Sequence, residues 1–277
     1  MILKKVKDEK IIPVLRIGDK YQLKSNASYN IIDKYYDFVP DMILQKNKFS
    51  LRIRKIEEKE LITFKGPTKE NEFGNPVRLE IEKPWLKVNF DNIIAELENS
   101  VPSIKPCFKK QHQQFIESDA DKTFENYGLT NIQKRETFRQ EIAVYVQDGI
   151  SHRETKFAKL CIDDVEIFIL DKNDFIYYYN IEVELDRKNL KDIAKYKPED
   201  EKRYSYYLSE FKNKFLLEFY PDIREWKHSK FVTGKAIIEL LKQNDNLKIK
   251  TIEYDNRTYL NQYGLIEIDK IIKEKKL

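Results

Sequence analysis

Basic residues recur at every second position in some short segments of the chain, and acidic residues do so in others. Arg52 and Arg54 are spaced in this way, as are Glu182 and Glu184. Arginine binds phosphate oxygens through paired, charge-assisted hydrogen bonds. Carboxylates are typical ligands of Mg²⁺ and Mn²⁺. Together these residue types indicate phosphate chemistry, with a divalent cation separating the phosphate from the acids because like charges repel.

A spacing of two predicts that these residues lie on β-strands, because successive side chains of a strand point to opposite faces. A solvated sheet face explains one such row. Successive rows that are first basic and then both basic and acidic indicate a surface that holds a polyanion and a metal together. Alternating rows occur at 49–54, 61–65, 77–82, 135–142, 159–163 and 180–185.

The first half of the chain resembles the core of a CYTH domain in three blocks, YYDFVPDMILQKNKFSLRIRK, ITFKGP and RLEIE. This is the family of class IV adenylate cyclases and thiamine triphosphatases, within the triphosphate tunnel metalloenzymes. The second half has the family's order of a basic strand, a strand ending in Asp163 and a strand with ExE. The resemblance covers about 33–186, and Ser229-Lys230-Phe231 is similar to the family's closing motif.

The resemblance implies an α+β fold: a closed antiparallel β-barrel with helices packed outside, whose lumen binds a triphosphate and divalent metal ions, Mg²⁺ or Mn²⁺. The candidate phosphate ligands are Arg52, Arg54, Lys65, Arg78, Arg135, Arg139 and Lys159. The candidate metal ligands are Glu80, Glu82, Asp163, Glu182 and Glu184. Of these acids, Asp163, Glu182 and Glu184 are also the candidate catalytic residues, since their metal ion would orient and acidify a water for in-line attack.

The N-terminus departs from the family pattern. Members usually begin with an ExExK strand whose two glutamates bind metal, and no such string occurs here. The nearest is Asp8-Glu9-Lys10, whose adjacent acids would point to opposite faces of a strand. Glu267 and Asp269 share one face if LIEIDK is a strand, so the C-terminus is a second hypothetical source of the acids. Full catalytic competence therefore depends on where the missing acids come from.

Composition excludes several other classes. Charged residues make up 35% of 277 residues but the net charge is only +4, which does not favour a general nucleic-acid coat. Neither GxxxxGK nor GxGxxG occurs, which excludes P-loop and Rossmann sites on motif grounds. The two cysteines, Cys107 and Cys161, form no CxxC pair and predict a reducing compartment. No window approaches the roughly 18 apolar residues of a membrane span, so we expect a soluble, cytoplasmic protein.

Apolar residues at helical spacing predict helices at 90–101, 190–196, 204–217 and 231–241. We expect a tunnel domain over residues 1–235 and a C-terminal appendage of helix and short strands over 236–277. In this interpretation the last 35 residues, which include NLKIKTIEY, RTYLNQY and GLIEIDKII, form two or three short strands and a basic tail.

Three functions are open from the sequence. The first is a metal-dependent phosphohydrolase acting on inorganic triphosphate, a nucleoside triphosphate or another triphosphorylated compound. The second is a class IV-type adenylate cyclase that produces cyclic AMP. The third is a catalytically inactive barrel that binds a nucleotide or polyphosphate. The expected partner is a triphosphate-containing small molecule. Nucleic acid is not expected, apart from an RNA 5′-triphosphate end, and a homodimer is left open.

Overall fold

A computed structural model describes most of the chain. The described ranges are 15–70, 76–108, 113–147, 154–169, 174–192, 198–219, 223, 225–243 and 250–275. Asp8 and Glu9, the nearest match to the missing acidic strand, lie outside these ranges.

Strands dominate the first two thirds of the chain, and the longest helix follows them. The strands are β1 (Leu15–Ile17), β2 (Tyr21–Asp37), β3 (Ser50–Ile56), β4 (Lys59–Lys65), β5 (Lys69–Glu70), β6 (Pro76–Val77), β7 (Glu80–Pro84), β8 (Thr130–Gln147), β9 (Glu154–Ile169), β10 (Asp174–Leu185), β11 (Thr251–Tyr254) and β12 (Arg257–Leu260). The α-helices are α1 (Ile43–Lys46), α2 (Lys87–Ser100), α3 (Ala120–Asn126), α4 (Arg187–Asp192), α5 (Pro198–Phe219), α6 (Lys230–Gln243) and α7 (Gln262–Lys275), and a 3-10 helix spans Pro102–Cys107.

Ten of these strands form one sheet in the order β11, β12, β10, β9, β8, β2, β3, β4 and β7, with β1 paired to β2. The predicted α+β class with a large antiparallel sheet is confirmed. The prediction of a closed barrel is wrong, because no described pairing joins β11 to β7. Closing the barrel would require β10 to pair with β7. That edge of β10 is instead paired in parallel with β12, at Tyr177 and Tyr259.

The described residues belong to two compact units. The first draws on Met1–Tyr29, Phe138–Asp164 and Tyr179–Ser229, and the second on Asn30–Thr137, Val165–Tyr178 and Lys230–Leu277. The long strands β2, β8, β9 and β10 each contribute one part to each unit.

The core of the second unit follows from the alternation of β3 and β4. Leu51 and Phe64, which pair across these strands, are both fully buried. They belong to the same apolar cluster as Phe90 of helix α2. Their neighbours in sequence, Arg52 and Thr63, must therefore point to the opposite face. Burial of the apolar face of β3 and β4 therefore places the polar side chains of these strands on the opposite face.

Helix α2 confirms the helix predicted at 90–101. Asp91 lies inside the helix and forms a 2.6 Å ion pair with Lys87, while Leu86 is the N-cap residue. Residues four positions apart are neighbours on the surface of a helix, so Lys87 and Asp91 can form this pair.

The core of the first unit is aromatic. Tyr21 of β2, Phe157 of β9 and Phe211 of α5 are nearly fully buried, and the Tyr21 and Phe211 ring centroids lie 5.4 Å apart in an edge-to-face arrangement. The helix predicted at 204–217 is confirmed, since it lies within α5.

The C-terminal segment is partly as predicted. Helix α6 and strands β11 and β12 confirm the predicted helix and short strands. The prediction of two or three strands is confirmed with two, but the assignment of GLIEIDKII to a strand is wrong, because Gln262–Lys275 forms helix α7. Ile268, Ile271 and Ile272 are buried there at helical spacing. Glu267 and Asp269 therefore do not share a strand face, and the hypothesis of a C-terminal acidic strand is also wrong.

None of the helices in the described ranges combines the length and apolar character needed to cross a membrane.

Replacing Phe90 with alanine should destabilise the protein strongly. Its side chain is fully buried and packs against Trp85, Phe115 and Tyr127, so truncation leaves a cavity. We expect a loss of about 3–5 kcal/mol in the free energy of unfolding, measured by urea denaturation.

Val88→Ala is the matched control on the same helix, because Val88 is 62% exposed. It should change stability by no more than about 0.5 kcal/mol. Equal effects of the two substitutions would contradict the packing described here.

Candidate functional site

Strand pairing in the second unit places the predicted polar rows side by side. Arg52 on β3 pairs with Tyr35 on β2 and with Thr63 on β4. Thr63 pairs in turn with Glu82 on β7. Because directly paired residues lie on the same face of a sheet, one face of four adjacent strands carries the polar groups.

Asp33 lies at the centre of a buried cationic cluster. Its carboxylate accepts hydrogen bonds from Nε and Nη2 of Arg54 at 2.8 and 3.0 Å, and from Nε and Nη2 of Arg135 at 3.1 and 2.6 Å. Arg52 adds an ion pair at 3.6 Å. We refer to these four residues as the Asp33 cluster. Two predicted phosphate ligands from β3 and one from β8 therefore converge on one carboxylate.

Three of the four residues of the Asp33 cluster are almost completely removed from water, and Arg54 is partly buried. Asp33, Arg52 and Arg135 are 1%, 4% and 2% exposed. Burial by itself disfavours the ionised carboxylate, but the charges of Arg52, Arg135 and Arg54 outweigh it and hold the pKa of Asp33 well below its usual range. Asp33 is therefore an anion at neutral pH, and the cluster has a surplus of positive charge.

Lys65 and Arg78 meet at Glu80 in the same unit. The ammonium of Lys65 lies 2.7 Å from the Glu80 carboxylate, and Nε of Arg78 lies 3.5 Å from it. Burial, reinforced by the charges of Arg52 and Arg78, lowers the pKa of Lys65 to about 7. We refer to these three residues as the Lys65 cluster. At neutral pH Lys65 is therefore poised between its charged and neutral forms.

Glu82 on β7 is held by one side chain of β4 and one of β3. Its Oε2 accepts hydrogen bonds from Thr63 at 2.9 Å and from Nη2 of Arg52 at 3.4 Å. It lies between the hydroxyl of Thr63 on the neighbouring strand β4 and the guanidinium of Arg52 on β3, one strand further along the sheet.

Tyr35 is packed between an arginine and an aromatic ring. Its ring stacks on Phe231 of helix α6 at a centroid distance of 4.6 Å, and the guanidinium carbon of Arg135 lies 5.1 Å from its centroid. Phe231 belongs to the predicted closing motif, so this part of the motif packs beside the Asp33 cluster. The contact restricts the positions open to Arg135.

The first unit contains a second group of predicted residues. Arg139 on β8 donates from Nε and Nη2 to the two oxygens of Asp163 on β9, at 2.7 and 2.8 Å. Its Nη2 also donates to Glu182 on β10 at 2.9 Å. Burial opposes the charged guanidinium, but hydrogen bonding to Asp163 and the nearby negative charges raise the pKa of Arg139. We refer to these three residues as the Arg139 cluster.

Lys159 is paired with an acid in the first unit. Its ammonium lies 3.4 Å from the Glu141 carboxylate. Glu141 also accepts hydrogen bonds from Asn26 and, at 3.4 Å, from Tyr29. Lys159 therefore has an internal partner, as the predicted phosphate ligands of the second unit do.

Cys161 and Glu184, two further residues of the predicted rows, differ in their exposure to solvent. Cys161 shares its strand face with Lys159 and Asp163 and is buried, which raises the pKa of its thiol to about 12 and makes it a poor nucleophile at neutral pH. Glu184 follows Glu182 by two positions on β10 and is exposed.

The described residues do not form a metal site by themselves. Within these ranges, no group of three or more His, Cys, Asp or Glu side chains is placed to hold a metal ion. The donor chemistry explains why: Asp163 and Glu182 are bound to Arg139, Glu80 to Lys65, and Glu82 to Arg52. As they are placed, these carboxylates neutralise cationic side chains.

Sequence reasoning missed Asp33 as the centre of the Asp33 cluster and Glu141 as the partner of Lys159. Strand β2 carries two acids, Asp33 and Asp37, but Tyr35 stands between them on the same face, so Asp33 is not part of a row of acids at every second position. The available signal was its parity with Tyr35 on β2, which directs it to the polar face, but its partner Arg54 depends on the strand register.

Two surface cavities of the second unit lie elsewhere. One of about 480 Å³ is lined by Lys59, Trp85 and Glu117 among others, and one of about 470 Å³ by Glu98, Lys105 and Phe108 among others. Neither is lined by a predicted phosphate or metal ligand.

The fold and these clusters define an α+β protein with arginines and carboxylates concentrated on its sheet strands. A model of the CYTH domain matches residues 2–259, and the chain therefore belongs to the CYTH family. Members of this family are enzymes, either triphosphatases or cyclases, and generally depend on a metal ion. Among curated proteins, none matches the chain.

Several solved structures are similar to the chain. A candidate adenylate cyclase from Bacillus halodurans is 15% identical, covering 76% of this chain and 93% of its own, with a TM-score of 0.38. The PH1819 protein from Pyrococcus horikoshii is 17% identical, with coverage of 80% and 89% and a TM-score of 0.39. A candidate adenylyl cyclase from Hippeastrum, described as having a dominant triphosphatase activity, is 15% identical, with coverage of 77% and 84% and a TM-score of 0.37. With TM-scores this low, we infer nothing about this chain from them.

The pKa of Lys65 predicts pH-dependent binding of polyanions. A bound tripolyphosphate favours the charged ammonium, so binding takes up a proton when the pH exceeds about 7. Between pH 7 and pH 8, affinity should fall about fivefold more for the wild type than for Lys65→Met. Isothermal titration calorimetry without added metal measures both, and the comparison cancels the titration of the ligand itself.

Lys59→Met, an exposed lysine on the same strand, is the control and should keep the wild-type pH profile. If Lys65→Met also keeps that profile, Lys65 does not titrate at the site.

Proposed function

We propose that this chain is a phosphohydrolase that binds a triphosphorylated compound and cleaves its terminal phosphoanhydride, using Mg²⁺ or Mn²⁺. The substrate class includes inorganic triphosphate, nucleoside triphosphates and, as the one nucleic-acid candidate, an RNA 5′-triphosphate end.

One observation carries this proposal: a surplus of cationic side chains in the second unit, of which Arg52 and Arg135 are almost completely buried. Five cationic side chains, from Arg52, Arg54, Lys65, Arg78 and Arg135, face three carboxylates, from Asp33, Glu80 and Glu82. An uncompensated charge away from water is unfavourable, and an anionic ligand would neutralise it. A triphosphate carries several negative charges and matches that surplus.

The side chains have distinct proposed roles. The arginines bind phosphate oxygens through paired hydrogen bonds and stabilise the charge that develops as the anhydride breaks. Lys65 contributes a point charge that depends on pH. Arg139 and Lys159 keep the phosphate-binding role predicted from the sequence as a proposal.

The second candidate function is a catalytically inactive polyphosphate-binding protein. It is favoured by the observation that the acids in the described ranges are bound to cationic side chains and do not converge as a metal site. Family membership keeps the cyclase as a third outcome, in which a ribose 3′-hydroxyl attacks the α-phosphorus and releases pyrophosphate.

A panel assay with product identification separates these functions. Purified protein is incubated with tripolyphosphate, ATP, GTP, thiamine triphosphate and 5′-triphosphorylated RNA, each with Mg²⁺, Mn²⁺ or EDTA. We expect metal-dependent release of orthophosphate. Cyclic AMP with pyrophosphate would identify a cyclase. Binding of tripolyphosphate without any product would identify an inactive binder, and would refute the proposed hydrolase.

Glu182→Ala and Glu184→Ala test the proposed metal ligands. Each should lower metal-dependent phosphate release by at least about tenfold, the scale expected when groups at a metal site are removed. Glu154→Ala is the control, because Glu154 is an exposed acid on β9 that pairs with Lys24 at 2.6 Å. Unchanged rates for both glutamate variants would exclude these acids from the reaction.

A further inference from the structure

The Asp33 cluster contains more hydrogen-bond donors than Asp33 can satisfy. Nε of Arg52 and Nη1 of Arg135 are buried and have no hydrogen-bond partner among the described residues. Both side chains are more than nine-tenths buried. A buried donor without an acceptor is rare and unfavourable. These two groups therefore point to an acceptor that the protein does not itself provide.

Asp33 is placed to orient those donors and not to contact an anion. Its oxygens already receive bonds from Nε and Nη2 of Arg54 and of Arg135. A carboxylate so saturated with donors has little capacity left, and its charge repels a phosphate oxygen. Two hydrogen bonds from each of Arg54 and Arg135 fix the planes of their guanidinium groups, and Arg52 is attracted to the same carboxylate by its ion pair at 3.6 Å. A fixed plane loses less side-chain entropy when it binds a ligand.

We propose that Asp33 is a positioning residue for phosphate binding: it aligns the guanidinium groups of Arg52, Arg54 and Arg135 so that their remaining N–H groups bind the oxygens of a triphosphate. This rests on the proposed function, because it assumes that the Asp33 cluster binds the polyanion. The new element is that Asp33 increases the affinity for a triphosphate, although its negative charge by itself opposes the binding of an anion.

The sign of one measurement distinguishes positioning from simple electrostatics. Asp33→Asn removes a negative charge from the cluster. If total charge decided the affinity, this variant would bind tripolyphosphate more tightly than the wild type. If Asp33 aligns the arginines, the variant binds more weakly despite its greater positive charge, and we expect at least a tenfold rise in the Kd.

The experiment is calorimetric titration with tripolyphosphate in EDTA, with circular dichroism and the Tm recorded for each protein. Glu210→Gln is the matched control in the first unit. Glu210 also holds several donors, from Lys20 at 2.7 Å, Tyr21 at 2.9 Å and Lys214 at 3.0 Å. It belongs to none of the three clusters, so its variant should change the Tm without changing the Kd. A purely structural role for Asp33 predicts that same pattern for Asp33→Asn, and would overturn the proposal.

A second background keeps the test decisive if Asp33→Asn folds poorly. Arg54→Gln removes one cation, and the double variant Asp33→Asn/Arg54→Gln has the same net charge as the wild type. Positioning predicts that the double variant binds at least tenfold more weakly than Arg54→Gln alone. Equal or tighter binding by the double variant would overturn the proposal.

Failure of this inference is distinct from failure of the proposed function. A wild-type protein that does not bind tripolyphosphate refutes both. A wild-type protein that binds it, together with an Asp33→Asn variant that binds equally well or better, refutes only the positioning role.

Discussion

The structure of the second unit depends on one buried carboxylate that is shared by three guanidinium groups. Asp33 cannot be ionised away from water without those partners, and the arginines cannot be buried together without Asp33. Removing either side would leave an unpaired charge in a low-dielectric environment, where the penalty is largest. The apolar core on the opposite face of β3 and β4 fixes the strands that carry these groups. Core packing and electrostatics therefore constrain the same few residues from two sides.

The pairing of the strands in the sheet sets the positions of the cationic side chains. Arg52 and Arg54 are separated by one residue on β3, and their partners are set by the register with β2 and β4. A shift of that register by one residue would move the whole polar row into the apolar core. The burial of Leu51 and Phe64 opposes such a shift. The buried apolar residues that alternate with the arginines along the strands thus determine the position of the charged cluster.

The sequence predicts the faces of the strands better than it predicts their partners. The alternation around Arg52, Lys65 and Glu182 identifies the polar rows because side-chain direction is a local property of a strand. Register is not local, so the role of Asp33 emerges only when β2 is paired with β3 and packed beside Arg135. The helix that contains Glu267 was misjudged for a related reason. Alternation over a few residues resembles a strand, and the buried set of Ile268, Ile271 and Ile272 is evident only over a longer window.

The parallel pairing of β12 with β10 has a consequence for biosynthesis. Strand β10 emerges from the ribosome well before β12, and until β12 arrives the edge of β10 that it covers offers unsatisfied backbone groups to any neighbouring polypeptide. Nascent or truncated chains that stop short of Arg257 keep this edge open. Synthesis of β12 therefore covers an edge of β10 that would otherwise be open to pairing with another chain.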